Sequence, residues 1–135
     1  MGVENKKLGS DFEKAVCDSF SALGWWVHFI APDSRGAQPF DIIAVKNGKP
    51  IALDCKTSSS HIFNVRRIEE NQHMAFQKWM RCNNGIPYIA ILYNDDLYMI
   101  KYTRFGLDKS INLKNEEENI WIQGFNEFVE EVRNR

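Results

Sequence analysis

The sequence predicts an α/β domain of order αβββαββα, a mixed sheet flanked by helices, spanning residues 1–135 as a single domain. Three observations predict it. Apolar residues recur at helical spacing near the start, the middle and the end of the chain. Two β-branched-rich runs flank Asn47-Gly48, the strongest short-range hairpin signal. A further pair of strand-like runs flanks Asn94-Asp95-Asp96.

The first element is a helix, because Leu8, Phe12, Val16, Phe20 and Leu23 fall on one helical face. Ser10-Asp11-Phe12-Glu13 fits a capping box and Gly24 a C-terminal stop. Trp25 to Ala31 reads as a strand, and Pro32 to Gln38 as a polar loop. The hairpin follows, to about Lys56, and Thr57 to Asn64 reads as a polar connection. Ile68, Ala75, Phe76, Trp79 and Met80 mark a second amphipathic helix ending before Gly85. Right-handed crossover geometry makes that helix a link between parallel strands. Pro87 to Tyr93 and Leu97 to Tyr102 are two more strands, and Phe125, Phe128, Val129 and Val132 form the stripe of a C-terminal helix.

Bulk properties narrow the class. A chain of 135 residues with 44% hydrophobic and 13% aromatic content carries one core. It has no apolar run long enough for a membrane span and no apolar signal core at its N-terminus. Cys17, Cys55 and Cys82, without CxxC spacing, argue against a disulfide framework or a zinc site and suit a reducing cytoplasm. The net charge of −1 does not support a strongly basic nucleic-acid binder, nor does it exclude one, because the distribution of charge matters more than its sum. The bases gather in the middle of the chain and the acids late, a weak sign of a phosphate-facing side.

The hairpin carries the chemistry. A two-residue turn at Asn47-Gly48 sets Lys46 against Lys49 and Val45 against Pro50, and so Asp41 against Asp54. Asp41 and Asp54 would then form a close, non-hydrogen-bonded pair, with Cβ atoms about 4.5–5.5 Å apart. Pro50 falls where no ladder N–H is required. Flanking residues apolar on both faces make these carboxylates costly unless one is protonated or a cation intervenes. Lys56, on the same strand face as Asp54, is one candidate, and a hard divalent ion such as Mg²⁺ is another. Metal-assisted phosphodiester hydrolysis asks for such a set. Asp41, Asp54 and the backbone carbonyl of Cys55 are candidate ligands, while Lys56 would orient or deprotonate water, or stabilise phosphate charge.

Other candidates have rival structural readings. Glu13 is either an extra carboxylate aimed at the aspartates or part of the capping box after Ser10. Gln72 is either a bond donor to a metal water or phosphate, or a locally satisfied amide. Arg35, Arg66, Arg67 and Lys78 are candidate phosphate contacts, or a solvated charged face. His73 reads as surface, and His28 and His61 as structural. Trp25, Trp26 and Trp79 read as core or interface.

Pro39-Phe40-Asp41 followed by Asp54-Cys55-Lys56, with Glu13 on the preceding helix, resembles the PD-(D/E)XK nuclease superfamily, whose restriction-endonuclease-like core runs αβββαβ. Within it the chain looks most like Holliday-junction resolvases of the RecU-like branch. The carriers are the Gly48 hairpin, Asp54-Cys55-Lys56-Thr57, Asn71-Gln72-His73-Met74 and the Gly85–Leu92 strand. Pro32 to Gln38 is too short for the stalk of that branch. The resemblance implies a DNA endonuclease in which Glu13, Asp41 and Asp54 bind Mg²⁺, with Mn²⁺ as a substitute. Lys56 would assist the water, Gln72 would support the site, and a homodimer would act on branched DNA. A restriction, repair or phage nuclease of the same fold, or an inactive nucleic-acid-binding member, is the alternative.

Overall fold

The computed structural model describes residues 3–30, 40–102, 110–114 and 122–124. Helix α1 (Val3–Ala22) precedes strand β1 (Trp26–Phe29) and the hairpin β2 (Ile42–Lys46) and β3 (Lys49–Thr57). A short strand β4 (Ile62–Phe63) and a 3-10 turn (Val65–Arg67) lead into helix α2 (Glu70–Arg81). Strands β5 (Tyr88–Tyr93), β6 (Asp96–Lys101), β7 (Ile111–Asn112) and β8 (Ile122–Gly124) follow. One sheet runs β1-β2-β3-β5-β6-β8 and a second pairs β4 with β7. The expected C-terminal helix and the Pro32–Gln38 loop lie outside the described residues.

The turns behave as their residues require. Asn47 (φ 53°) and Gly48 (φ 75°) both take left-handed backbone, and the hairpin closes with Lys46 opposite Lys49 and Val45 opposite Pro50. Asn94 (φ 51°) and Asp95 (φ 64°) do the same between β5 and β6. Strands β3 and β5 run parallel across the α2 crossover, while the remaining pairs are antiparallel.

Helix α1 ends as Gly24 allows. At φ +88°, Gly24 donates to Ser21 O while Trp25 N–H reaches Phe20 O, a Schellman close. The Phe20 and Trp25 rings meet edge-on at 5.4 Å and seal the turn. The start differs from expectation. The helix begins at Val3, so Ser10 lies inside it and caps nothing. Helix α2 ends before Gly85 as expected, and its stop is Asn83 (φ 63°), with Asn83 N–H on Met80 O and Asn84 N–H on Trp79 O. Asn tolerates the left-handed region well enough to serve there.

The sheet is covered on both faces. Phe12, Val16 and Phe20 of α1 pack on Ile42, Ala44, Ile51, Leu53, Tyr88, Ala90 and Met99. On the other face Phe76 of α2 joins Phe40, Ala52, Ile89, Ile91 and Ile100, and the β4–β7 ribbon adds Phe63 and Ile111. The connection expected to be polar therefore contains a strand, because Phe63 has a buried apolar slot to fill. Phe20 and Phe76 are fully enclosed, and truncating either to alanine would cost about 3–5 kcal/mol. Alternation along β3 follows from this packing. Ile51, Leu53 and Cys55 face α1, while Ala52 and Asp54 face α2.

Candidate functional site

The site forms where β2 begins, halfway along β3, under the first turn of α2. Asp54 is almost fully enclosed on the α2 side of the sheet. Its Oδ1 accepts from Gln72 Nε2 at 2.9 Å. Lys56 Nζ lies 3.2 Å from its Oδ2, an ion-pair distance without hydrogen-bond alignment, so Oδ2 is a buried oxygen with no hydrogen bond. A charge contact needs only proximity, while a hydrogen bond needs direction as well.

Gln72 ties the parts together. Its Oε1 accepts from the Glu69 backbone N–H at 3.1 Å and lies 3.4 Å from Lys56 Nζ. A backbone N–H can only donate, which orients the amide and turns its NH₂ toward Asp54. The buried amide expected as a rival reading and the site amide are the same group. The pairing of Glu69 with Gln72 at helix-start spacing is a signal legible in the sequence.

Asp41 sits differently from its expected place. The ladder runs regularly to Ile42 opposite Leu53, but Asp41 N–H also reaches Leu53 O at 3.0 Å. Two residues of one strand thus answer one of the other, which is a β-bulge. Asp41 is not a ladder partner of Asp54. Its Oδ2 instead accepts the Cys55 N–H at 2.7 Å, and its carbonyl receives Ile30 N–H. The two carboxyl groups still feel each other across the end of β2. Burial, then the Asp41 charge, pushes the Asp54 carboxyl up to about 8, with Lys56 opposing.

The field of Asp41 extends to α1. Burial first and Asp41 second raise the Glu13 carboxyl. With the helix starting at Val3, no capping role competes for Glu13, which stands on the α1 side of Asp41. Burial raises the thiols of Cys17 and Cys55, with nearby acids adding to it, so both stay protonated rather than nucleophilic. Among the described residues, no three His, Cys, Asp or Glu side chains form a ready-made metal cage.

The basic candidates scatter. Arg67 donates Nη1 to Thr57 O at 2.6 Å and lies 5.3 Å over the Phe63 ring, so it anchors the end of β3. Arg66 and Lys78 are exposed, and Arg35 lies outside the described residues. His73, read as surface, is half-buried with Nδ1 2.7 Å from Tyr102 Oη, tying α2 to the end of β6. Trp25 is core, whereas Trp26 is 62% exposed.

A family model for the archaeal Holliday junction resolvase (Hjc) matches residues 4–134. The chain belongs to the archaeal Holliday junction resolvase family. That family lies in the PD-(D/E)XK nuclease superfamily, as the motif implied, while the likeness to the RecU branch is not part of what the match shows. A curated relative, the crossover junction endodeoxyribonuclease Hjc of Methanocaldococcus jannaschii, is 28% identical over 94 residues, 70% of this chain. The match spans 65% of that relative's length. The Archaeoglobus fulgidus Hjc structure, a Holliday junction resolvase from an archaeal hyperthermophile, superposes with a TM-score of 0.60 at 16% identity. It covers 77% of this chain and 88% of that one, and it shows the fold of the archaeal resolvases here.

Proposed function

We propose that this chain is a divalent-metal-dependent endodeoxyribonuclease of residues 1–135 that hydrolyses phosphodiester bonds at four-way DNA junctions. In this reading it works in the cytoplasm as a homodimer, whose twofold axis presents two centres to two strands. Family membership supports the substrate. The carrying observation is Asp54, a buried carboxylate with an oxygen left without a hydrogen bond beside Lys56.

Such an oxygen fits a hard cation. Asp41, Asp54, the Cys55 carbonyl and Glu13 would hold it, and Mn²⁺ would substitute for Mg²⁺ with the same oxygen donors. Mg²⁺ keeps several waters and takes one or two carboxylates, so a cage of three acids is not required. When bound, the ion polarises water and offsets phosphate charge. The chain's own residues set the geometry. Gln72 holds Asp54 Oδ1 and so presents Oδ2 toward the centre. Lys56, largely covered, holds its ammonium where a phosphate oxygen or attacking water would sit. Arg66 and Lys78 are available to distant phosphates.

Cleavage of four-way junctions, linear duplex and flaps, with Mg²⁺ and with EDTA, tests this. Asp54→Ala should stop cutting and leave junction binding intact, and a variant that still cuts removes the metal site. Equal cutting of all three substrates would instead indicate a broader nuclease of the same fold. Junction binding without cutting in any divalent ion would indicate an inactive DNA-binding member.

A further inference from the structure

Helix α2 buries one side and leaves the other to solvent. Gln72 and Phe76 face the sheet, with Gln72 holding Asp54. On the opposite side Glu70, Met74, Gln77 and Arg81 are all exposed. They recur at steps of four, three and four, the spacing of a helix seam that meets another helix. Met74 lies within that seam at 64% exposure, a long apolar side chain that the site does not use. Ile62 points outward from the same layer, because β4 covers the same sheet face as α2 and turns its neighbour Phe63 inward.

The seam is the complement of its own reversal. Glu70 stands in the first turn of α2 and Arg81 in the last. They are about 16 Å apart along the axis, too far to pair within one helix. Among the described residues neither has an ion-pair partner. Set against a second copy turned end for end, Glu70 meets Arg81 of the partner subunit and Met74 meets Gln77 of the partner subunit. The other half of the contact repeats the first by symmetry, as an isologous interface requires. An antiparallel pair crossing at about 20° gives these contacts, and the opposed helix dipoles add to the fit. DNA is the poorer occupant, since Glu70 on the same stripe repels phosphate.

We propose that the outward face of α2 is the surface through which two copies of this chain pair, antiparallel about a twofold axis. This rests on the reading of the chain as a homodimeric junction nuclease and names the surface that reading requires. The inner side of the same helix orients Asp54 through Gln72, so pairing through α2 sets the two cutting centres on either side of one axis. A stable interface buries about 1,200–2,000 Å² in total, broader than one helix of about 18 Å provides. Ile62 and the outward face of β4 therefore belong to it as well.

Exchange of the two charges in the full chain, read by sedimentation with Tm as the check on folding, tests it. Glu70→Arg and Arg81→Glu should each weaken the dimer by about tenfold or more, since each sets like charges together. The double variant, Glu70→Arg with Arg81→Glu, restores opposite charges and should recover most of the affinity. It suits the helix dipole worse than either single change, so a loss caused only by a weaker helix would deepen in it instead. On a cruciform plasmid in Mg²⁺ the wild type should release linear molecules and the single variants nicked circles. A monomeric wild type, single variants that stay dimeric, or a double variant as monomeric as the single ones each overturn the surface. Single variants that lose junction binding without a change in mass overturn it too, and assign the face to DNA. A wild-type dimer that cuts nothing in Mg²⁺ or Mn²⁺ removes the nuclease reading, while the charge exchange still judges the surface.

Discussion

Gln72 reaches from helix α2 to Asp54 on strand β3, its Nε2 donating to Oδ1 across 2.9 Å while its Oε1 takes the Glu69 N–H. One amide therefore sets the start of a helix and the orientation of a buried carboxylate together. Gln72→Ala strands both groups. A buried group left without its partner costs about 1–3 kcal/mol, so urea denaturation should show a loss of that size. Junction cutting should fall by about 10–100-fold, the usual effect of losing a residue that orients a ligand. A variant as active as wild type would show that Asp54 orients itself.

Asp54 makes the stability of the metal-free chain depend on pH, with a definite sign. Its folded carboxyl titrates near 8 against an ordinary 3.8, because burial and then Asp41 disfavour its charge. Between those values the folded chain keeps a proton that the unfolded chain has released. Stability from this group is full below about pH 4 and drains away as pH rises toward 8. Asp54→Asn, neutral at every pH and similar in shape, should flatten that decline. Urea unfolding of both proteins in EDTA from pH 5 to pH 9 reads the difference, and parallel curves would contradict the buried, proton-holding state.

Metal binding should oppose the same proton. A divalent ion requires the carboxylate ionised, so binding at Asp54 expels its proton. Millimolar Mg²⁺ should raise Tm more at pH 8.5 than at pH 6, and should raise that of Asp54→Asn hardly at all. A shift independent of pH would place the ion elsewhere.

Asp41 is testable apart from folding. In Asp41→Asn the amide oxygen still accepts the Cys55 N–H, so the bulge survives, but the charge felt by Asp54 and Glu13 is gone. Cutting should fall by more than about 100-fold, since a proposed ligand should matter at least as much as a residue that orients one. Tm in EDTA should hold or rise. A large drop in Tm would make Asp41 a structural bulge residue instead.

Gly48 isolates a backbone effect. A Cβ there meets nothing within 4 Å, yet its φ of +75° belongs to glycine. Gly48→Ala should cost about 1–2 kcal/mol in urea unfolding through backbone strain alone. Cutting should be unaffected at temperatures well below Tm.

Local chemistry decided much of this protein by itself. Asn47-Gly48 accepts left-handed backbone at both turn positions, and a two-residue turn leaves one register open, so Ile42 to Lys46 pair as expected. The apolar stripes and the crossover rule yielded both described helices and the parallel β3–β5 pair. They also placed Asp54, Lys56 and Gln72 on one side of the sheet. Tertiary structure decided where that register stops. The bulge at Asp41 arises as Phe40 turns into the cluster with Phe76 and Trp79, and no two-residue pattern carries that pull. Packing likewise made a strand of Ile62-Phe63 and left Trp26 in water. Turns and stripes are written in neighbouring residues, whereas these outcomes depend on which distant surfaces meet.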